Sequence, residues 1–438
     1  MLKNPVAYVF SSIFVIFAHI AMLINVYMNG NYEDISKIVV LASAVLGLDV
    51  IYCVISPMFK QMSYTVDFLV LLLLNMSVIF QSCFGGVSLS VKHYITSIVA
   101  LAACKAGYLV CRKYKVLQEK KLFFYIGIGI LMLVILTLTG SRSMWIDIGS
   151  FSIQPSEFMK PLFVLACSTS VLEQQKKHKI LFVNVVYENI ALFGLIAAIF
   201  LLQWWCRDLG SLPTFIGIYA GGFLLRICYP KAKFSKNKLI GAAIVLLAVA
   251  IVGIRFAPEY VQQRLHADIW NDINGSGYQQ SQALIAIARG GWFGVGPGNG
   301  ELCNVFAYES DIVFATICEE WGMVFALMMI CVILVITALP LINPPRSYFH
   351  GTMTAGVCAA FVVQMALNIF GSCNLIPFTG VTIPFVSAGG SSMMVSGFMA
   401  GMIIASQSPS FDEPENKKAK KNSGRSNGRA VPARRHSI

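Results

Sequence analysis

The stretch Asn374-Leu-Ile-Pro-Phe-Thr-Gly-Val-Thr-Ile-Pro-Phe-Val-Ser-Ala-Gly-Gly-Ser-Ser392 sets two prolines and three glycines into an otherwise apolar run. Lipid cannot satisfy irregular backbone, so a break at membrane depth must be packed in protein or line a wet cavity. Interrupted segments of this kind point to binding sites in membrane proteins. A plain loop between two spanning helices would carry the same turn-forming residues. The rest of the chain has to decide between these readings.

Around this stretch the chain is strongly apolar. Of its 438 residues 57% are hydrophobic and only 12% charged, with a mean hydropathy of +0.70. A soluble domain carries about twice that charge density. Hydropathy gives twelve candidate spans, at 6–28, 36–57, 65–84, 93–111, 122–140, 158–173, 188–205, 211–227, 238–256, 313–340, 350–373 and 388–406. Each is near the ~20 residues needed to cross the hydrocarbon core. The expected fold is an all-α polytopic membrane bundle.

Lysine and arginine orient it. With the N-terminus inside, the inward segments hold 24 of the 33 basic residues, including the runs Arg112 to Lys121 and Arg226 to Lys238 and eight in the tail. Cytoplasmic loops carry this excess, so both termini are expected on the cytoplasmic side. The net charge of +12 is then a topology signal, and nucleic acid is not an expected partner. Residues 410–438, rich in Lys, Arg, Ser and Gly, offer little to bury and read as a disordered tail. The first 28 residues read as an anchor helix rather than a cleaved signal.

Twelve cysteines and six histidines are present. No Cys-x-x-Cys pair or histidine ligand spacing occurs among them, so a His/Cys metal site is not expected. Cysteines inside spans, such as Cys53 and Cys104, serve as small apolar fillers.

Only one interhelix segment is long: residues 257–312, which the charge count puts outside. Loops of such length are usually functional or disordered, and Trp270, Tyr278, Trp292 and Phe293 argue for order. Within it a helix is expected at 279–289, followed by a glycine-rich turn to Gly300. The turn lacks the Gly-Lys-Ser/Thr ending of a phosphate-cradling loop. Asp311, at the mouth of span 313–340, reads either as a helix cap or as a carboxylate base at head-group level. Glu319 and Glu320 lie a further ~12–14 Å along the helix. Carboxylates at that depth must face a cavity or a partner. On a second outer segment, Pro155 and Glu157 make a good helix start, and Lys160 stands i,i+3 from Glu157. Asp208 is a third outward carboxylate.

In order and spacing these segments resemble the FtsW/RodA/SpoVE (SEDS) family. The matching motifs run from Gly140 to Lys160, with Trp145, Gln154, Glu157 and Lys160; from Asp208 to Ser211; and from Gly277 to Gly300, with Tyr278, Gln279, Gln282 and Arg289. Two more run from Ser310 to Gly322, with Asp311, Glu319 and Glu320, and from Ile376 to Ser392, with Pro384, Ser387 and Ser391. The resemblance covers about residues 65–409 and implies a peptidoglycan glycosyltransferase. Such an enzyme polymerises lipid II at the outer leaflet and releases undecaprenyl diphosphate, with Asp311 in the catalytic position. It further implies a partner of the class B penicillin-binding protein type and other divisome or elongasome membrane proteins. The departing diphosphate calls for cations, from Arg142, Lys160, Arg264 and Arg289 or from a divalent ion, Mg2+ or Mn2+. The sequence departs from the family pattern at Met144, Arg207, Val295 and Ala388, and residues 1–64 add two spans. A flippase of lipid-linked precursors and a non-catalytic activator of a transpeptidase are the rival readings.

Overall fold

Inside lipid every backbone amide must be satisfied within the protein, and the chain meets this demand mostly with helices. The computed structural model describes residues 5–30, 35–138, 144–148, 151–170, 177–180, 183–228, 262, 269–270 and 277–407. In chain order the helices are α1 (Pro5–Asn29), α2 (Ile35–Ile55), α3 (Thr65–Arg112), α4 (Tyr114–Glu119), α5 (Lys121–Leu138), α6 (Pro155–Ser170), α7 (Tyr187–Trp205) and α8 (Leu212–Cys228). They continue as α9 (Tyr278–Gly290), α10 (Val313–Trp321), α11 (Met323–Ile342), α12 (Tyr348–Ser372) and α13 (Gly390–Gln407).

Among the described residues, seven helical segments are long and apolar enough to cross a membrane. Other expected spans fall on the shorter helices α6, α7 and α8 and on α13, whose apolar run is broken by Ser and Gly. The expected span 238–256, the tail 410–438, Arg142 and Arg264 lie outside the described residues. Large side chains such as Phe10, Phe14 and Phe17 on α1 point outward, as a lipid-facing surface requires.

Three details differ from a simple row of spans. The helix α3 contains two, Thr65–Phe84 and Ser90–Arg112. Ser77 and His93 would stand about 24 Å apart on a straight helix, yet their side chains meet at 2.6 Å. Lys105 Nζ likewise reaches Asp67 Oδ2 at 2.8 Å. The two limbs therefore fold back on each other.

Span 313–340 is not one helix either. It breaks at Gly322, whose φ is +87°, where a Cβ would strike the backbone of Trp292 and Phe293. The amides freed by the break donate to the glycine-rich turn instead, Met323 N to Gly291 O (3.0 Å) and Val324 N to Trp292 O (3.2 Å). Finally, the fold is mostly rather than wholly helical. Short antiparallel pairs join β1 (Ile146–Ile148) to β2 (Phe151–Ile153) and β3 (Lys177–Ile180) to β4 (Val183–Val186).

The core forms where α13 lies along α3. Gly397 and Gly401 of α13 face the carbonyls of Ala100 and Cys104, and Gly107 of α3 faces that of Phe398. A methyl group at any of the three would collide with backbone. Small residues at such a crossing let helices approach closely enough for dispersion to hold them in lipid.

The two N-terminal helices attach through a buried polar joint. His19 Nδ1 meets Asp49 Oδ2 at 2.7 Å and its Nε2 meets Leu72 O at 3.2 Å, while Asn75 Nδ2 donates to Asp49 Oδ1 at 2.8 Å. At the far end of α1, Asn29 O accepts from Asn299 Nδ2 of the glycine-rich turn at 3.3 Å.

Candidate active site

At one end of the bundle five separate segments enclose a cavity of about 500 Å3. They are the start of the second limb of α3, the β1–β2 hairpin with the start of α6, the α7–α8 turn, residues 309–311, and residues 379–392. Four carboxylates line it (Glu157, Asp208, Glu309 and Asp311), together with two basic residues, Lys92 and Arg207.

The opening stretch of sequence is what holds Asp311 there. Its irregular backbone and the adjoining helices take up the carbonyls of residues 309–311 one by one. Ala388 N donates to Glu309 O at 2.9 Å, and Gln81 Nε2 reaches the same oxygen at 3.1 Å. Ser387 Oγ donates to Ser310 O at 2.7 Å and itself accepts from Ile383 N at 2.9 Å. Asn368 Nδ2 lies 2.8 Å from both Asp311 O and Val381 O. The Asp311 carboxylate accepts from Ser310 Oγ at 2.8 Å. Beside it stands Gly380, with φ +65°, where a Cβ would approach Asp311 Oδ2 to 3.1 Å. Glycine takes that φ without strain and keeps the carboxylate uncrowded. The helix α10 enters through Ile312, which makes no side-chain cap.

Asn368 is the hub of this arrangement, buried at 2% exposure. Asn368→Leu should destabilise the protein by about 1–3 kcal/mol, because buried carbonyls lose their donor. The melting temperature of the detergent-solubilised variant measures it, and an unchanged value would remove Asn368 from the support of residues 310–311.

The other residues singled out by sequence divide into three groups. Trp145, Gln154, Glu157 and Asp208 line the cavity with Asp311, and Gln154 Nε2 donates to Asp208 Oδ2 at 3.2 Å. Lys160 is 1% exposed and its Nζ bonds Glu157 Oε1 at 2.5 Å, behind the cavity wall. Pro384 is buried in the signature turn, and Ser391 Oγ accepts from Gln154 N at 3.3 Å.

The third group stands away from the cavity. Glu319 accepts from the amides of Glu301 and Leu302 (3.1 and 2.9 Å), and Glu320 from that of Gly298 (2.8 Å). These acids hold the glycine-rich turn, and that is how carboxylates so deep are satisfied. Arg289 bonds Glu301 Oε2 at 2.5 Å and lies 3.5 Å from Glu319 Oε1. Gln279 Nε2 donates to Phe306 O at 2.8 Å. Tyr278 packs on the small apolar cluster of Ala283, Leu302 and Ile312, and Gln282 is half-buried on the same helix.

Sequence reasoning missed Lys92 and His93 on the α3 wall and passed over Arg207. Arg207 had a signal: it departs from the family pattern beside a motif aspartate. Its φ of +57° places an arginine where a helix end favours glycine. That conformation costs roughly 1–3 kcal/mol and tends to persist at functional sites. Cys206 also lines the cavity. Burial, and then the Asp208 carboxylate, push its thiol up, which keeps it protonated and a poor nucleophile at neutral pH.

Among the described residues no three His, Cys, Asp or Glu side chains converge as a metal site. The carboxylates around the cavity do not make a protein-built cage for Mg2+ or Mn2+.

Comparisons with known proteins give the family and the fold. The model of the FtsW/RodA/SpoVE family, described as cell cycle proteins, matches residues 56–409. The chain is 31% identical over 310 residues to a probable peptidoglycan glycosyltransferase FtsW of Alcanivorax borkumensis, covering 66% of this chain and 76% of that one. It is 29% identical over 349 residues to stage V sporulation protein E of Bacillus subtilis, covering 74% and 85%. Two solved structures share the fold. One, from work on polymerisation and crosslinking by a peptidoglycan synthase complex, has TM-score 0.61 at 19% identity, covering 80% of this chain and 99% of that one. The other, the rod shape determining protein RodA of Thermus thermophilus, has TM-score 0.54 at 19% identity, covering 80% and 98%. With the family model spanning most of its length, and four of its five quoted motifs contributing residues to one cavity, this chain belongs to the FtsW/RodA/SpoVE family.

Proposed function

We propose that this protein is a peptidoglycan glycosyltransferase that polymerises lipid II on the outer face of the cytoplasmic membrane, in cell division or cell-shape growth. The observation that carries this reading is Asp311. Its carboxylate is fixed by its neighbours at the wall of a charged cavity large enough for a sugar diphosphate. A sugar hydroxyl is a poor nucleophile at neutral pH, and a positioned carboxylate base is worth ~10²–10⁴ in rate. The 4-hydroxyl oxygen of one sugar attacks the anomeric carbon of the other. The anomeric C–O bond to the diphosphate breaks as the glycosidic C–O bond forms. The hydroxyl proton passes to Asp311, and the bonding electron pair leaves on undecaprenyl diphosphate.

The leaving group needs positive charge, and Lys92 and Arg207 are the lysine and arginine that line the cavity among the described residues. They are preferred to Lys160, paired with the cavity-lining Glu157, and to Arg289, paired with Glu301. Lys92→Met and Arg207→Met are each expected to lower kcat about 10²–10³-fold with the protein still folded, the range for one lost electrostatic contact to the developing charge. Full turnover in both would return the leaving group to other cations. A divalent ion would have to arrive on the diphosphate with its own water shell, and no step here runs through one.

The segments around the cavity are those that the lysine and arginine count puts outside, which supports twelve spans with both termini cytoplasmic. The relative solved from a synthase complex supports a transpeptidase partner, for which we propose a single-span class B penicillin-binding protein. Purified protein supplied with labelled lipid II tests the whole reading. Glycan chains on a gel are expected. Transfer of lipid II across vesicles without polymer would favour a flippase. Activity only of an added transpeptidase would favour an activator. The flippase reading drew on Glu319 and Glu320 as buried charges along a path, and both are bound by the amides of one turn.

A further inference from the structure

His93 is 2% exposed and lines the cavity, yet no family motif quoted above includes it. Its Nε2 lies 2.6 Å from Ser77 Oγ, and Ser77 Oγ lies 2.6 Å from Val386 O. A carbonyl only accepts and Ser77 owns one hydroxyl proton. That proton must go to Val386 O, since otherwise two oxygens would meet at 2.6 Å with no hydrogen between them. Ser77 can then only accept from the ring, which fixes the hydrogen of neutral His93 on Nε2. Nδ1 is left with its lone pair, and the protein gives it no hydrogen-bond partner among the described residues.

The cavity that His93 lines also carries hydroxyls. Thr96, Thr382 and Ser392 line the same cavity, with Thr382 Oγ1 and Ser392 Oγ 2.6 Å apart. Gly389 and Gly390 keep this wall open: a Cβ at Gly390 would stand 3.7 Å from the Thr96 methyl. Lys92 is the one charged neighbour lining this part of α3. A lone pair among hydroxyls suits a sugar hydroxyl, which donates, and does not suit a diphosphate oxygen, which also only accepts.

We infer that His93 Nδ1 accepts a hydrogen bond from a hydroxyl of the bound saccharide, in a tautomer held by the signature turn through Ser77. This rests on the glycosyltransferase reading and assigns His93 as a saccharide-binding residue. Asparagine and glutamine separate its two roles. His93→Asn keeps an acceptor close to the position of Nδ1 and loses the donor to Ser77. His93→Gln keeps an N–H close to the position of Nε2 and takes the acceptor away.

The test measures kcat and KM for labelled lipid II, together with the melting temperature of each variant. One neutral hydrogen bond is worth about 1 kcal/mol, or roughly 5–10-fold in affinity. His93→Gln should therefore lose about that factor in kcat/KM, mainly through KM, while His93→Asn stays within about 3-fold of wild type. The reverse pattern, equal loss in both, or no loss in either would overturn the assignment. Titration of lipid II onto the same two substitutions in an Asp311→Asn background gives the binding change without turnover, and it must follow the same order. A wild-type chain that makes no polymer sinks the functional reading. A wild-type chain that polymerises while His93→Gln binds lipid II normally sinks this inference alone.

Discussion

Asp311→Asn should yield a folded, membrane-inserted protein that makes no detectable glycan from lipid II. Asparagine keeps the size of the side chain, fits beside Gly380 and can still accept from Ser310 Oγ. It cannot take up a proton at neutral pH. The expected loss is ~10²–10⁴ or more in rate, read from polymer on a gel against time. The melting temperature should stay close to wild type, because the backbone of residues 309–311 is held by Gln81, Asn368, Ser387 and Ala388 rather than by the carboxylate. Polymer at a near-normal rate would remove Asp311 as the base.

Glu157→Ala should have the largest effect on stability. Lys160 is 1% exposed, and Glu157 is the partner of its ammonium. Removing one member of a buried ion pair costs about 3–5 kcal/mol, because the other charge is left uncompensated. Glu157→Leu with Lys160→Met removes both charges and should recover most of that loss. Thermal unfolding of the two variants in one detergent makes the comparison. The double variant should nevertheless polymerise poorly, because Glu157 lines the cavity. A double variant as unstable as the single one would show that packing, not charge, holds this corner. A direct role for Lys160 at the diphosphate would instead require its ammonium to leave Glu157 and cross the cavity wall.

Much of this was legible in the sequence because membranes impose coarse rules. Apolar runs of a fixed length gave most of the helices. Four of the five polar interruptions line the cavity, and the fifth, the glycine-rich turn, is held by Glu319 and Glu320. What stayed hidden depends on how helices sit against one another. Glu319 and Glu320 read as costly charges deep in a span. Their answer lay in the amides of residues 298–302, which no local pattern reveals. Arg289 read as a free cation for the same reason, whereas the i,i+3 spacing of Glu157 and Lys160 made their pairing legible. His93 looked like a scattered histidine because its meaning comes from Ser77 and Val386, and Val386 lies 309 residues from Ser77 in the chain. The Gly322 break could have been suspected from glycine alone, but only the carbonyls of Gly291 and Trp292 explain why the helix gains by stopping there.

The bonds that close the cavity join distant parts of the chain: Gln154 to Ser391 across 237 residues, Ser77 to Val386 across 309 and Ser387 to Ser310 across 77. During synthesis the ribosome delivers α3 long before α13 exists to lie against it. Every earlier helix can be inserted, bringing Gln81 and Asn368, and still leave residues 309–311 without the donors Ser387 and Ala388. Catalytic competence is thus the last thing this protein acquires as it is made. A nascent chain stalled short of residue 387 would lack both of these donors and hold no assembled site.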